Sequence, residues 1–264
     1  MRVLAEDLHT SRRLKLARTP TPIQLLPRLS ELLGSNLYCK RDDLTGFGFG
    51  GSKIRKLEFL LHEAHSQGCD TLVTCGSNQS NWCCMAAVTG AVLGMDVYLV
   101  LGGAAPERDT GNIRLARIAG AKVSHVESAE GDVLEAASSE LTRTLKARGQ
   151  RPYQIITGGS TGLGALGYVN AFHEIADFAR SADVYFSKII HATGSGGTQA
   201  GLIAGAMLQG WEGDIIGMAV SRNKADQQHK VRGVLQQMLP DEAVQDGKII
   251  VDDAFVGGGY RCKT

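Results

Sequence analysis

The chain carries almost no net charge, and that lack removes several functions at once. Lysine and arginine number 28 against 27 aspartates and glutamates, a balance of +1 over 264 residues. Such a balance leaves no electrostatic footprint for nucleic acid or an anionic membrane surface. No apolar run reaches the length of a bilayer span. The opening Met1–Asp7 is too short and too acidic for the apolar part of a secretion signal. The six cysteines (Cys39, Cys69, Cys75, Cys83, Cys84 and Cys262) include no C-x-x-C pair and no histidine at zinc-finger spacing, so no metal is implied. Cys39 and Cys75 fall in strand-like apolar runs, where a reduced cysteine behaves as a small hydrophobe, and adjacent Cys83 and Cys84 read as part of a packed helix. Repeats, low-complexity tracts and flexible linkers are also missing. The expectation is a soluble cytoplasmic protein, with an organelle left open, whose partner is a small molecule rather than nucleic acid or membrane.

Glycine, by contrast, is plentiful, at 33 residues in the chain, which suits a fold of many tight strand-to-helix turns. Short apolar runs predict strands over Asn36–Lys40, Thr71–Thr74, Asp96–Leu101, Lys122–His125, Tyr153–Thr157, Lys188–Thr193, Asp214–Val220 and Lys248–Val251. Between them, helical periodicity predicts Ile54–Gln67, Asn81–Leu93, Gly111–Ile118, Val133–Ala147, Leu163–Arg180, Thr198–Leu208 and Ala225–Leu239. Near-continuous apolar strands alternating with helices mean an α/β fold with parallel sheets flanked by helices.

The segment Lys40–Phe59 is the most informative. Its loop holds Gly46, Gly48, Gly50 and Gly51 and delivers Lys53 to the start of a helix whose Ile54, Leu57, Leu60, Leu61 and Ala64 have the spacing of a buried face. A helix N-terminus favours anions and disfavours cations. A lysine placed there has either found an anion or lost its charge by forming an imine, and both outcomes point to a cofactor. A nucleotide P-loop does not fit, because Gly50-Gly-Ser-Lys53-Ile lacks the Gly-Lys pair and the following Ser/Thr. Three further turns are rich in small polar residues: Cys75–Asn81, Thr157–Gly164 and Ala192–Gly201. They follow strands, at the carboxyl ends where doubly wound sheets bind ligands. The third is the best phosphate cup, since Gly194, Gly196 and Gly197 remove side-chain bulk while Ser195 and Thr198 add hydroxyl donors. A dinucleotide reading of that turn departs from G-x-G-x-x-G, and no acidic residue closes the next strand. Lysine, Ser/Asn loop and phosphate cup together match pyridoxal phosphate, which needs an imine partner, a phosphate cradle and a donor to its ring hydroxyl.

These motifs carry a resemblance. Lys40-Arg-Asp-Asp-Leu-Thr, Gly50-Gly-Ser-Lys53-Ile-Arg-Lys56-Leu-Glu, Ser77-Asn-Gln-Ser80-Asn81 and Thr193-Gly-Ser-Gly-Gly-Thr198 resemble the D-cysteine desulfhydrase and 1-aminocyclopropane-1-carboxylate deaminase family of pyridoxal-phosphate enzymes. The likeness runs from about Thr19 to Tyr260. It implies the two-domain fold type II of the tryptophan-synthase-β-like class: residues 1–49 plus 165–264 as a large cofactor domain, 50–164 as a small inserted domain, and the cofactor between them. It implies that Lys53 forms the imine, Lys56 reaches the phosphate, Asn81 meets the ring hydroxyl and Ser80 lies at the substrate. Gly194, Ser195, Gly196, Gly197 and Thr198 would hold the phosphate, and Tyr260 would face the substrate. The implied activity is a lyase converting D-cysteine to pyruvate, sulfide and ammonia, with 1-aminocyclopropane-1-carboxylate deamination or a non-catalytic isoform as alternatives, and a homodimer as the assembly.

Three departures from the family stand out. Ser52 replaces an asparagine beside the lysine. Trp82 replaces a histidine and either packs or narrows the substrate entrance. After Tyr260 the chain reads Arg261-Cys-Lys-Thr264 where the family continues, which creates the expectation of a C-terminally truncated form with weakened catalysis.

Overall fold

The computed structural model describes residues 12–240 and 246–258. In chain order its elements are β1 (Ile23–Leu25), α1 (Pro27–Leu33), β2 (Tyr38–Lys40), α2 (Lys53–Ser66), β3 (Thr71–Ser77), α3 (Asn81–Val92) and β4 (Asp96–Gly102). Then come α4 (Gly111–Ile118), β5 (Lys122–Val126), α5 (Gly131–Ala147), β6 (Pro152–Ile155), α6 (Gly162–Ala182), β7 (Lys188–Thr193), α7 (Gly197–Leu208), β8 (Asp214–Ala219), α8 (Lys224–Leu235) and β9 (Ile250–Asp252). The chain divides into two compact units: one gathers Ala17–Ser52 with the chain from Ser160 on, the other gathers Arg12–Leu16 with Lys53–Gly159.

The second unit is a parallel sheet in the order β5-β4-β3-β6. Parallel neighbours need long crossovers, and α3, α4 and α5 supply them. Central β3 is buried over Thr71–Gly76, as a strand covered on both faces should be. It continues to Ser77, three residues past the predicted Thr74, because its pairing with β4 runs on to Gly102. From β3 the chain moves outward through β4 to β5, then returns to pair β6 on the other flank. That reversal puts the topological switch point at the carboxyl ends of β3 and β6, the place where open α/β sheets hold ligands. Helix α2 differs from its sequence reading. Besides the expected apolar face, Arg55, Lys56, Glu58 and Phe59 are buried too. Glu58 tolerates this because Arg13 lies 2.5 Å from its Oε2 and the Leu16 amide donates to its Oε1 at 2.7 Å. A buried charge is stable only when partnered in this way.

The first unit holds a parallel sheet in the order β7-β8-β9 and an antiparallel pair, β1 with β2. The predicted strand Asn36–Lys40 is present as Tyr38–Lys40, and its partner Ile23–Leu25 has no alternation by which sequence could reveal it. The Lys40–Asp43 motif serves as a clamp here. Lys40 Nζ donates to Glu174 Oε2 at 2.6 Å and to the Thr21 carbonyl at 2.8 Å. Asp42 accepts from the Thr21 hydroxyl at 2.9 Å and from Tyr168 at 3.2 Å. The glycine loop then closes on this clamp, with the Gly51 amide donating to the Asp42 carbonyl at 3.0 Å. Gly50 has φ +75, and a Cβ there would lie 2.2 Å from the Asp43 carbonyl oxygen, so only glycine fits. No helix among the described residues is long and apolar enough to cross a membrane.

Candidate active site

In the second unit the candidate residues gather around the β3–β6 switch point. Lys53 is the first residue of α2, and Lys56 follows one turn on. Burial pushes the Lys53 amine below its ordinary value. Burial, with the Lys53 charge adding to it, pushes Lys56 down to about 7. Desolvation always disfavours the charged form of an amine, and the N-terminal end of a helix repels a cation further. Lys56 is buried to 1% exposure, and its Nζ donates to the Gly158 carbonyl at 3.2 Å, in the turn that follows β6. The geometry therefore holds one amine toward neutrality and ties the second to the switch-point turn.

The Ser/Asn loop after β3 reads differently residue by residue. Ser80 is the N-cap of α3: its Oγ accepts from the Cys83 amide at 3.2 Å, which stabilises the helix start and leaves the hydroxyl proton for a second partner. Asn81, the next residue, is exposed and is the first residue of the same helix. Trp82 packs into the second unit. It is 3% exposed, and its indole N–H donates to Thr74 Oγ1 at 2.8 Å; Thr74 in turn donates to the Ile155 carbonyl at 2.8 Å. Its ring lies behind Gly159, where an added Cβ would meet Trp82 at 2.5 Å. Cys83 is buried and its thiol is pushed up to about 12 by desolvation, consistent with a packing role.

In the first unit the predicted phosphate cup runs from the end of β7 to the start of α7. Gly196 has φ +89, and a Cβ there would lie 3.3 Å from the Lys230 and Val231 backbone. Helix α7 begins at Gly197 and carries no charged residue in its first turn. The turn is anchored by neighbours: Arg222 donates to the Gly194 carbonyl at 3.0 Å, and Gln227 Nε2 donates to buried Thr193 Oγ1 at 3.0 Å. Ser195 and Thr198 are half-buried. The donors of the whole candidate set are N–H groups, hydroxyls and lysine amines, the chemistry of an anion cradle.

One residue at this turn was passed over by sequence reasoning. Ser160 is 6% exposed, accepts from the Gly197 amide at 3.2 Å and donates to Ser195 Oγ at 2.7 Å. Its only sequence signal is a hydroxyl directly after Gly158-Gly159. Tyr260 lies outside the described residues.

The profile of the family described as pyridoxal-phosphate dependent enzyme matches residues 14–247. A Pyrococcus furiosus protein provisionally named 1-aminocyclopropane-1-carboxylate deaminase is 41% identical over 227 residues, covering 84% of this chain and 68% of that one. A D-cysteine desulfhydrase of Serratia proteamaculans is 38% identical over 248 residues, covering 92% of this chain and 74% of that one. Among solved structures, one described as an ACC deaminase homologue superposes with a TM-score of 0.81 at 37% identity, over 88% of this chain and 70% of that one.

Proposed function

The chain belongs to the family of pyridoxal-phosphate dependent enzymes, and on that premise we propose a lyase that removes a β-substituent and ammonia from D-cysteine. The observation that carries the reading is Lys53, an amine at the first residue of α2 held below its ordinary pKa by burial. When bound, pyridoxal phosphate supplies an aldehyde that captures amino groups and a ring that stores electrons withdrawn from the substrate Cα.

The chain's own groups have distinct tasks. Lys53 Nζ would hold the cofactor, and as an amine it would also take and hold the substrate Cα proton. A general base must be neutral when it acts, and burial shifts the Lys53 amine in that direction. Lys56 and the turn Gly194, Ser195, Gly196, Gly197 and Thr198 hold the phosphate. Asn81 donates to the ring oxygen. The Ser80 hydroxyl, its oxygen already engaged by the Cys83 amide, donates to the substrate, and Tyr260 keeps the substrate-facing role implied by family resemblance. A D-cysteine desulfhydrase at 38% identity supports the choice of substrate. Likeness to proteins named for 1-aminocyclopropane-1-carboxylate deaminase keeps ring opening as the second reading.

The test has two stages. Protein mixed with pyridoxal phosphate is treated with borohydride and digested; the expected cofactor-bearing peptide is the one containing Lys53, and labelling elsewhere sinks the assignment. Purified protein is then given D-cysteine or 1-aminocyclopropane-1-carboxylate. Sulfide and pyruvate from the first support desulfhydrase activity, whereas a four-carbon keto acid from the second alone transfers the assignment to the deaminase.

A further inference from the structure

Ser160 links Gly197 and Ser195 of the glycine turn in a hydrogen-bond relay. The Gly197 amide, one of the N–H groups that a helix start leaves without an intrahelical partner, donates to Ser160 Oγ at 3.2 Å. Ser160 in turn donates its proton to Ser195 Oγ at 2.7 Å. A hydroxyl has one proton and two acceptor positions. Because Ser195 receives the Ser160 proton, its own proton is left for another acceptor, and donors arranged in such a chain polarise one another. Ser160 is buried and Ser195 half-buried, so the relay runs from a more buried hydroxyl to a less buried one.

We propose that Ser160 is a positioning residue: it orients the Ser195 hydroxyl as a phosphate donor and holds the Gly197 amide inside the turn. Gly197 then serves the anion through the space it leaves rather than through its N–H. The proposal rests on the reading of Gly194–Thr198 as the phosphate cradle.

The experiment measures binding rather than turnover. Pyridoxal 5'-phosphate and pyridoxal, which differ by the phosphate, are titrated by equilibrium dialysis against wild type, Ser160→Ala and Ser160→Thr. The ratio of the two affinities isolates the phosphate contribution. Ser160→Ala is expected to lower that ratio about tenfold, the scale of one hydrogen bond to a charged group, with pyridoxal binding unchanged and Ser160→Thr restoring most of the ratio. An unchanged ratio in Ser160→Ala overturns the proposal, as does an equal loss for both ligands, which marks a general structural defect. A wild type that does not distinguish the two ligands overturns the phosphate assignment of the turn itself, leaving cofactor attachment at Lys53 to its separate test. Should Ser160→Ala fail to fold, Ser160→Cys keeps the volume with a weak donor; the same loss is expected of it, and the same results overturn the proposal.

Discussion

The two helix starts that carry the candidate chemistry are built on opposite principles. Helix α2 opens with Lys53, Ile54, Arg55 and Lys56, placing three cations in its first turn, two of them buried. Helix α7 opens with Gly197, Thr198 and Gln199 and has no charge there. The first arrangement works against the helix dipole and against solvation, and both push amines toward their neutral, reactive form. The second keeps side chains small and uncharged, so that backbone and hydroxyl donors remain available to an anion. Side-chain ionisation is the variable at one end, and backbone shape is the variable at the other.

That contrast can be broken at either end. The largest expected effect comes from Lys53→Arg, which keeps the cation but removes an amine able to become neutral. Turnover should fall by about a thousandfold or more, with phosphate-dependent retention of the cofactor largely kept; turnover within tenfold of wild type would refute the role. The next is a pH effect on the protein without cofactor. Lys56 has its folded pKa at about 7 against an ordinary 10.5, so between these values the unfolded chain binds the extra proton. Stability therefore rises with pH from about 7, at most about 1.4 kcal/mol per pH unit, and the depression of Lys53 acts in the same direction. Cys83 reverses part of the gain above its ordinary 9.0, because its folded thiol stays protonated to about 12. Urea midpoints measured from pH 7 to 9 should climb, and Lys56→Met should flatten the climb; an unaltered slope in that variant argues against the buried amine.

At the other helix, Gly196→Ala forces a left-handed backbone on a residue with a Cβ and should cost about 2 kcal/mol, seen as a lower urea midpoint together with weaker phosphate binding. A variant as stable as wild type would show that the turn can relax. The smallest effect is expected for Trp82→Phe, which removes the bond to Thr74 and should cost about 1 kcal/mol, with little change in phosphate affinity.

Legibility in the sequence followed the same division. Backbone-built features were readable, because glycine and small hydroxyl residues after apolar runs have few other uses: the turns after β3, β6 and β7 are all present. The buried charges were not. Periodicity marked only Ile54, Leu57, Leu60, Leu61 and Ala64 as the buried face of α2, yet buried Glu58 is partnered by Arg13 and buried Lys56 by Gly158, groups 45 and 102 residues distant. Local periodicity carries no information about partners so far along the chain. Ser160 escaped for a related reason, since its hydroxyl acts on Ser195 and Gly197 more than thirty residues later. Strand β1, the partner of the predicted β2, escaped because three residues are too few to show a period.

The placement of Trp82 has an optical consequence. The chain has 2 tryptophans, and they divide between the units: Trp82 in the second, and Trp211 in the first, where its N–H donates to the Phe186 carbonyl at 3.1 Å. Each indole is a built-in fluorophore for its own unit, with Trp82 in the drier setting and emitting further to the blue. Replacing either one by phenylalanine yields a single-emitter protein, and the pair of variants can show whether the two units melt as one cooperative body or in succession.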